Sequence, residues 1–202
     1  QTESWNGSAW TEVADLNTGR DQGAGAGSSS TAALMISGNA SPGTQVELWN
    51  GSSWTEVAEV NAARREGPGS AGTSTSALFV GGYSPPGSPG FSAANESWNG
   101  SAWTEVGDLN TARRDVSSLG ISTSALCSGG NQAPPTESAL NETWNGSSWT
   151  EVNNLNTGAT GRKGSGTTSN GLVFGGSPGL TNTEDWDGLI FTERNDLNTG
   201  RE

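Results

Sequence analysis

An all-β fold assembled from repeating four-stranded units is what this sequence predicts, on three observations. The stretch Trp-Asn-Gly-Ser-Ser-Trp-Thr-Glu-Val at 49–57 returns at 5–13, 98–106 and 144–152 with at most one substitution, and in altered form at 186–194. Its leading Trp recurs at intervals of 44, 49, 46 and 42 residues, a period typical of stacked supersecondary units. No segment spaces its apolar residues as a helix would, whereas short apolar runs bounded by Gly, Pro, Asn and Ser recur throughout.

Composition sharpens this expectation. Only 29 of the 202 residues are Leu, Ile, Val or Phe, and the net charge is −12, a balance that by itself suggests disorder. The nine Trp argue otherwise, because together with Phe191 they fill all ten aromatic positions of the five motif copies. Large aromatics held in register imply an ordered fold of small residues anchored by Trp. Nine Lys and Arg against 21 Asp and Glu argue against a nucleic-acid partner. No apolar run is long enough for a membrane-spanning helix, and no signal peptide is visible after Gln1. Cys127 gives no disulfide framework; it is expected to be a small buried hydrophobe, equivalent to Ile36, Val80 and Val173 or their neighbours.

The motif itself reads as a hairpin. Asn-Gly tolerates the positive φ of a tight type I′ turn, and a loop of two or four residues puts Trp49 and Trp54 on one sheet face, where they pack ring on ring. The same holds for Trp5 and Trp10, Trp98 and Trp103, Trp144 and Trp149, and Trp186 and Phe191. After each hairpin an Arg follows the Asn by three residues: Arg20, Arg64, Arg113 and Arg201. In the fourth copy, Ala159-Thr160-Gly161 reads as an insertion that displaces it to Arg162. Runs of Gly, Ala and Ser come next (23–30, 67–76, 116–124 and 164–170), suited to a crowded inner strand. A short apolar strand ending in glycine follows each run, as in Leu78-Phe79-Val80-Gly81-Gly82. Pro/Gly/Ser loops of differing length (39–44, 83–93, 131–138 and 177–181) then lead to the next hairpin.

Four strands per repeat of forty-odd residues describe a propeller blade. The sequence gives one domain, 1–202, with a half-blade at 2–17 and complete repeats at 18–60, 62–109, 111–155 and 157–197. An apolar strand with Gly-Gly, a downstream aromatic pair and a following Arg, as in Gly81-Gly82, Trp98, Trp103 and Arg113, resembles the kelch repeat. Ser37 and Phe191 are departures from that pattern. The wording of the motif is similar to kelch-like repeats in proteins of bacteriophages and environmental bacteria, and this implies a virion or extracellular surface setting. The half-blade lacks its two inner strands, so residues 2–17 are expected to expose a strand edge. A polypeptide continuing past Glu202, a neighbouring chain that completes the blade, or a ring with one half-blade would each account for it.

The chemistry available is narrow. With no His and one Cys, neither an imidazole base nor a thiolate cage can form, and no phosphate-binding or calcium-loop motif occurs. Glu3, Glu47, Glu96, Glu142 and Glu184 precede each leading Trp by two residues, and Glu12, Glu56, Glu105, Glu151 and Glu193 follow the second aromatic, all on the Trp face. A cation-binding ring is one use; a solvated outer strand whose Glu partner the repeat Arg or shield Trp is the other and better supported one. Seven Asn-x-Ser/Thr acceptors occur, at Asn6, Asn39, Asn50, Asn95, Asn99, Asn141 and Asn145. The expectation is a non-catalytic structural or adhesive module without cofactor. Its partners would be other copies of itself or other virion or surface proteins. The alternative is a lectin-like module that stacks Trp, or Tyr83, on surface glycans.

Overall fold

The computed structural model describes residues 1–84, 90–133 and 136–201. Residues 85–89 of the 83–93 loop, 134–135 of the 131–138 loop and residue 202 lie outside the described residues. All regular structure in the described residues is β. The first hairpin pairs β1 (Thr2–Trp5) with β2 (Trp10–Val13). A four-stranded sheet follows, made of β3 (Ala24–Ser29), β4 (Ala32–Ile36), β5 (Val46–Trp49) and β6 (Trp54–Val57). The next comprises β7 (Gly69–Thr73), β8 (Ser76–Val80), β9 (Asn95–Trp98) and β10 (Trp103–Val106).

The rim between units carries β11 (Arg113–Arg114), which precedes the third sheet's inner strands β12 (Ser117–Ile121) and β13 (Ser124–Ser128). The loop expected at 131–138 instead holds β14 (Asn131–Gln132) and β15 (Thr136–Glu137), which join β11 in a small three-stranded sheet. β16 (Asn141–Trp144) and β17 (Trp149–Val152) complete the third four-stranded sheet. The last is β18 (Lys163–Thr167), β19 (Asn170–Phe174), β20 (Thr183–Trp186) and β21 (Phe191–Glu193). Every pairing is antiparallel; most join strands adjacent in sequence, and the exceptions are β13 with β16 and β11 with β14, whose segments interleave at the rim.

The motif forms a four-residue loop, so Trp49 lies directly opposite Trp54 and Trp98 opposite Trp103. Its chemistry differs from a type I′ turn. Gly51 alone takes positive φ (94°), while the Asn50 side chain accepts the Ser52 and Ser53 N–H at 2.9 and 3.0 Å. The fifth copy does the same with Asp187, whose carboxylate accepts from Leu189 and Ile190. An acidic side chain serves there because only an acceptor oxygen is needed.

Inner strands β3, β7, β12 and β18 lie side by side and are short-chained because they approach one another closely. The Ser70 hydroxyl donates across that gap to the Gly25 carbonyl at 2.5 Å. Three apolar clusters fill the spaces between consecutive sheets. In the first, Ala24, Ala26, Leu34 and Ile36 of one sheet cover Phe79, Trp98 and Trp103 of the next. In the second, Ala71, Leu78 and Val80 meet Cys127, Trp144 and Trp149. In the third, Leu119 and Leu126 meet Val173, Trp186 and Phe191. Each unit thus presents aliphatics on one face and an aromatic pair on the other.

Cys127 is fully buried, and burial pushes its thiol pKa up. Strand pairing aligns it with Met35, Phe79 and Val173, each opposite the Glu of its sheet. Ser37 stands where other units have the first glycine of Gly-Gly. It takes φ of 57°, and its hydroxyl accepts the Arg64 N–H at 3.0 Å. At Gly81 (φ 61°) a Cβ would meet the Arg113 carbonyl at 2.7 Å, so glycine lets the linker pass closer there than a side chain would without a shift.

Candidate binding surfaces

The repeated polar residues converge at the junctions between units. Glu47, Glu96, Glu142 and Glu184 are buried in their sheets, and each receives the linker arriving from the preceding unit. The backbone and side-chain N–H of Asn61 donate to one Glu96 oxygen at 2.7 and 2.8 Å. Asn17, Asn110 and Asn156 treat Glu47, Glu142 and Glu184 alike. The second oxygen takes an arginine: Arg20 at 2.5 Å, Arg64 at 2.9 Å and Arg113 at 2.8 Å. Arg64 also donates to the Gly81 and Ala94 carbonyls and stacks 4.0 Å from the Phe79 ring centroid. These carboxylates do partner the repeat Arg, as the sequence predicts, but as buried structural latches and not on the solvated outer strand that it also predicts. The second set (Glu12, Glu56, Glu105, Glu151 and Glu193) is exposed.

The fourth linker corrects the sequence alignment. Ala159 offers its carbonyl to Gly130 N–H as Arg113 does to Gly82 and Arg64 to Gly38. Gly161 takes the positive φ that Glu66 and Asp115 adopt at the same place. No residues are inserted; Ala159 occupies the arginine position, and Arg162 reaches Glu184 at 3.0 Å from three residues further on. Without the usual starting point its guanidinium makes none of the carbonyl contacts of Arg64 and Arg113. Arg201 does occupy the repeat position, with its carbonyl on Gly176 N–H, but it is exposed and pairs with no carboxylate among the described residues.

Latch ionisation has a testable sign. Burial alone raises the Glu47 pKa, but the Asn17 N–H, the Arg20 side chain and the Thr18 N–H together bring it below the usual value. A group depressed in the folded state adds stability that is complete above its unfolded pKa, about 4.3, and is lost as pH falls through the folded value. Asp115, raised by burial, has the opposite sign. Urea unfolding at pH 7 and pH 3 is expected to show a smaller acid-induced loss for Glu47→Gln than for the parent chain. Equal losses would remove Glu47 from the account.

Among the described residues, three open surfaces are weighed as ligand sites by their chemistry. The first is on the rim, where the segment after Gly-Gly bridges the linker behind Arg. Tyr83 and Phe91 meet edge to face at 6.2 Å, with the Arg114 guanidinium 5.5 and 5.2 Å from their centroids. Arg114 is ion-paired with Glu66 and Asp115, and Arg65 donates to Asn39 at 2.8 Å. Nothing in the repeat pattern signals this cluster, because it lies in the most variable segment. The second is a polar cavity of about 250 Å³ bounded by all four inner strands, with Gly25, Ser70, Ser118 and Gly164 on its wall. The third is an apolar groove of about 290 Å³ beside the first hairpin, lined by Trp5, Trp10, Trp49 and Trp54.

The aromatic pairs divide accordingly. Ring centroids lie 5.3–5.5 Å apart in the four Trp pairs and 4.7 Å apart for Trp186 and Phe191. Trp98, Trp103, Trp144, Trp149, Trp186 and Phe191 are buried between sheets, Trp49 is buried and Trp54 half-buried, while Trp5 and Trp10 are 45% and 63% exposed. Of the glycosylation acceptors, Asn95 and Asn141 are fully buried. Among the described residues, no group of three or more Asp, Glu or Cys side chains converges as a metal site would.

The chain matches no protein-family model, and no curated protein matches it.

Proposed function

We propose that this chain is a non-catalytic structural or adhesive module whose sheets are kelch-like propeller blades, serving in a virion or an extracellular surface assembly. The observation that carries this reading is the use made of its polar groups. In each four-stranded sheet one repeated Glu is buried and tied to an arginine of the incoming linker as a latch, and the units differ mainly in their rim segments. A scaffold that repeats its joints and varies its rim suits presentation and assembly better than chemistry, which needs an asymmetric constellation. The motif's resemblance to kelch-like repeats of phages and environmental bacteria supports the setting.

A lectin-like role is the second reading, favoured by the exposure of Trp5 and Trp10, since flat aromatic faces stack on sugar rings. A glycan array probed with the 202-residue chain, Trp10→Ala and Tyr83→Ala separates the two. The structural role expects no saturable sugar binding by the parent chain. Binding that either substitution abolishes would put the lectin reading first.

A further inference from the structure

The hairpin turns of the motif hold a reactive pair of groups in one repeated geometry. At Asn6, Asn50, Asn99 and Asn145 the residue is exposed, and the glycine after it has φ of 94–99°. In each turn the Asn side-chain oxygen accepts three donors at 2.9 or 3.0 Å. For Asn50 these are the Ser52 N–H, the Ser52 hydroxyl and the Ser53 N–H, and the other three turns repeat the set. The glycine N–H of these turns makes no hydrogen bond among the described residues. The fifth copy already carries the acid. Asp187, followed by Gly188 at φ 96°, accepts from the Leu189 and Ile190 N–H at 2.8 and 2.9 Å. Those bonds, the one from Ile190 foremost, hold its carboxyl below the usual carboxylate range. The turn therefore accepts an aspartate in place of asparagine and strengthens its hydrogen bonds with the added charge.

We infer that Asn6, Asn50, Asn99 and Asn145 are self-modifying sites, at which the turn promotes conversion of its own asparagine to aspartate. The glycine nitrogen, unshielded by any Cβ, loses its proton to hydroxide and attacks Cγ of the asparagine. A bond forms between that nitrogen and Cγ, and the carbonyl electron pair moves onto Oδ1. The three donors on Oδ1 stand where this negative charge develops, as in an oxyanion hole. Collapse breaks the Cγ–Nδ2 bond, and Nδ2 takes a proton from water and leaves as ammonia. Water then opens the cyclic imide at Cγ, the carbonyl that the turn polarises. The new bond breaks, the glycine nitrogen regains its proton, and Cγ keeps the water oxygen as aspartate. The linker asparagines Asn17, Asn61, Asn110 and Asn156 lack this arrangement, because their amide groups donate to buried Glu and Thr or Ala follows them. Each conversion adds one negative charge to an exposed hairpin tip of a chain already at −12. The inference does not depend on the virion setting or on the lectin alternative.

The test incubates the folded 202-residue chain at mildly alkaline pH and follows each asparagine by peptide mapping, with aspartate and isoaspartate separated by chromatography. Conversion is expected at the four turns and not at the linker asparagines, with aspartate exceeding isoaspartate at each turn. The same chain unfolded in urea is expected to give isoaspartate as the main product, as a free imide does. Ser52→Ala removes one of the three donors and is expected to slow conversion at Asn50 about fivefold, the rate equivalent of one hydrogen bond. The other three turns of that variant serve as internal clocks. Asn50→Asp, the product made in advance, is expected to leave the thermal midpoint unchanged. A rate at Asn50 indifferent to Ser52→Ala would overturn the inference, and so would isoaspartate as the main product of the folded chain. A lowered midpoint for Asn50→Asp would defeat it too, by showing that the turn does not accept its own product.

Discussion

Arg64→Ala is expected to be among the most damaging single substitutions in the chain, lowering stability by about 3–5 kcal/mol. Its guanidinium is fully buried, pairs with Glu96 at 2.9 Å and donates to the Gly81 and Ala94 carbonyls. Burial pulls the Arg64 pKa down, and Glu96 opposes that pull. Removing the arginine leaves the Glu96 carboxylate charged, buried and held only by Asn61, which is the expensive outcome. Glu96→Ala in the same chain removes the stranded charge, so the double variant is expected to lose less than the sum of the two singles, with a coupling of about 0.5–3 kcal/mol. Arg162→Ala is expected to cost less than Arg64→Ala, because Arg162 makes the ion pair without the carbonyl contacts. Urea titrations of the four variants and the parent measure all of this. A loss under about 1 kcal/mol for Arg64→Ala, the range of ordinary surface changes, would mean that the latch does not hold the sheets together.

Trp103→Ala is expected to cost about 3–5 kcal/mol, the usual penalty for emptying a large aromatic site. Trp103 is 7% exposed, packs 5.3 Å from Trp98 and meets Phe79 edge to face. The interior has few other large side chains to collapse into the space, since the facing strands offer Ala24 and Ala26. Trp10→Ala makes the contrast. The residue occupies the same motif position but is 63% exposed, and its loss is expected to stay within about 0.5 kcal/mol. Thermal unfolding of both variants tests the pair of statements. A Trp10 cost equal to that of Trp103 would show that the first hairpin's aromatic face is covered in solution.

What the sequence determined by itself was most of what has a short period, the turn chemistry of the hairpins excepted. Alternation placed Trp49 and Trp54 on one face, the small-residue runs marked β3, β7, β12 and β18, and Gly-Gly marked the ends of β8, β13 and β19. Such features depend on φ/ψ preference and on which side of a strand a residue occupies, and both are set within a few residues. The tertiary structure decided where the charges go. Each latch joins an arginine to a glutamate 22–32 residues away on the neighbouring sheet, and nothing local distinguishes buried Glu96 from exposed Glu105, its direct partner across the strand pair. The alignment of Ala159, the three-stranded rim sheet and the Tyr83–Phe91–Arg114 cluster were likewise settled by packing. Five copies of one motif also hid the difference between Trp103 and Trp10. That difference depends on whether an adjacent sheet covers the ring, which is a property of the neighbour and not of the residue.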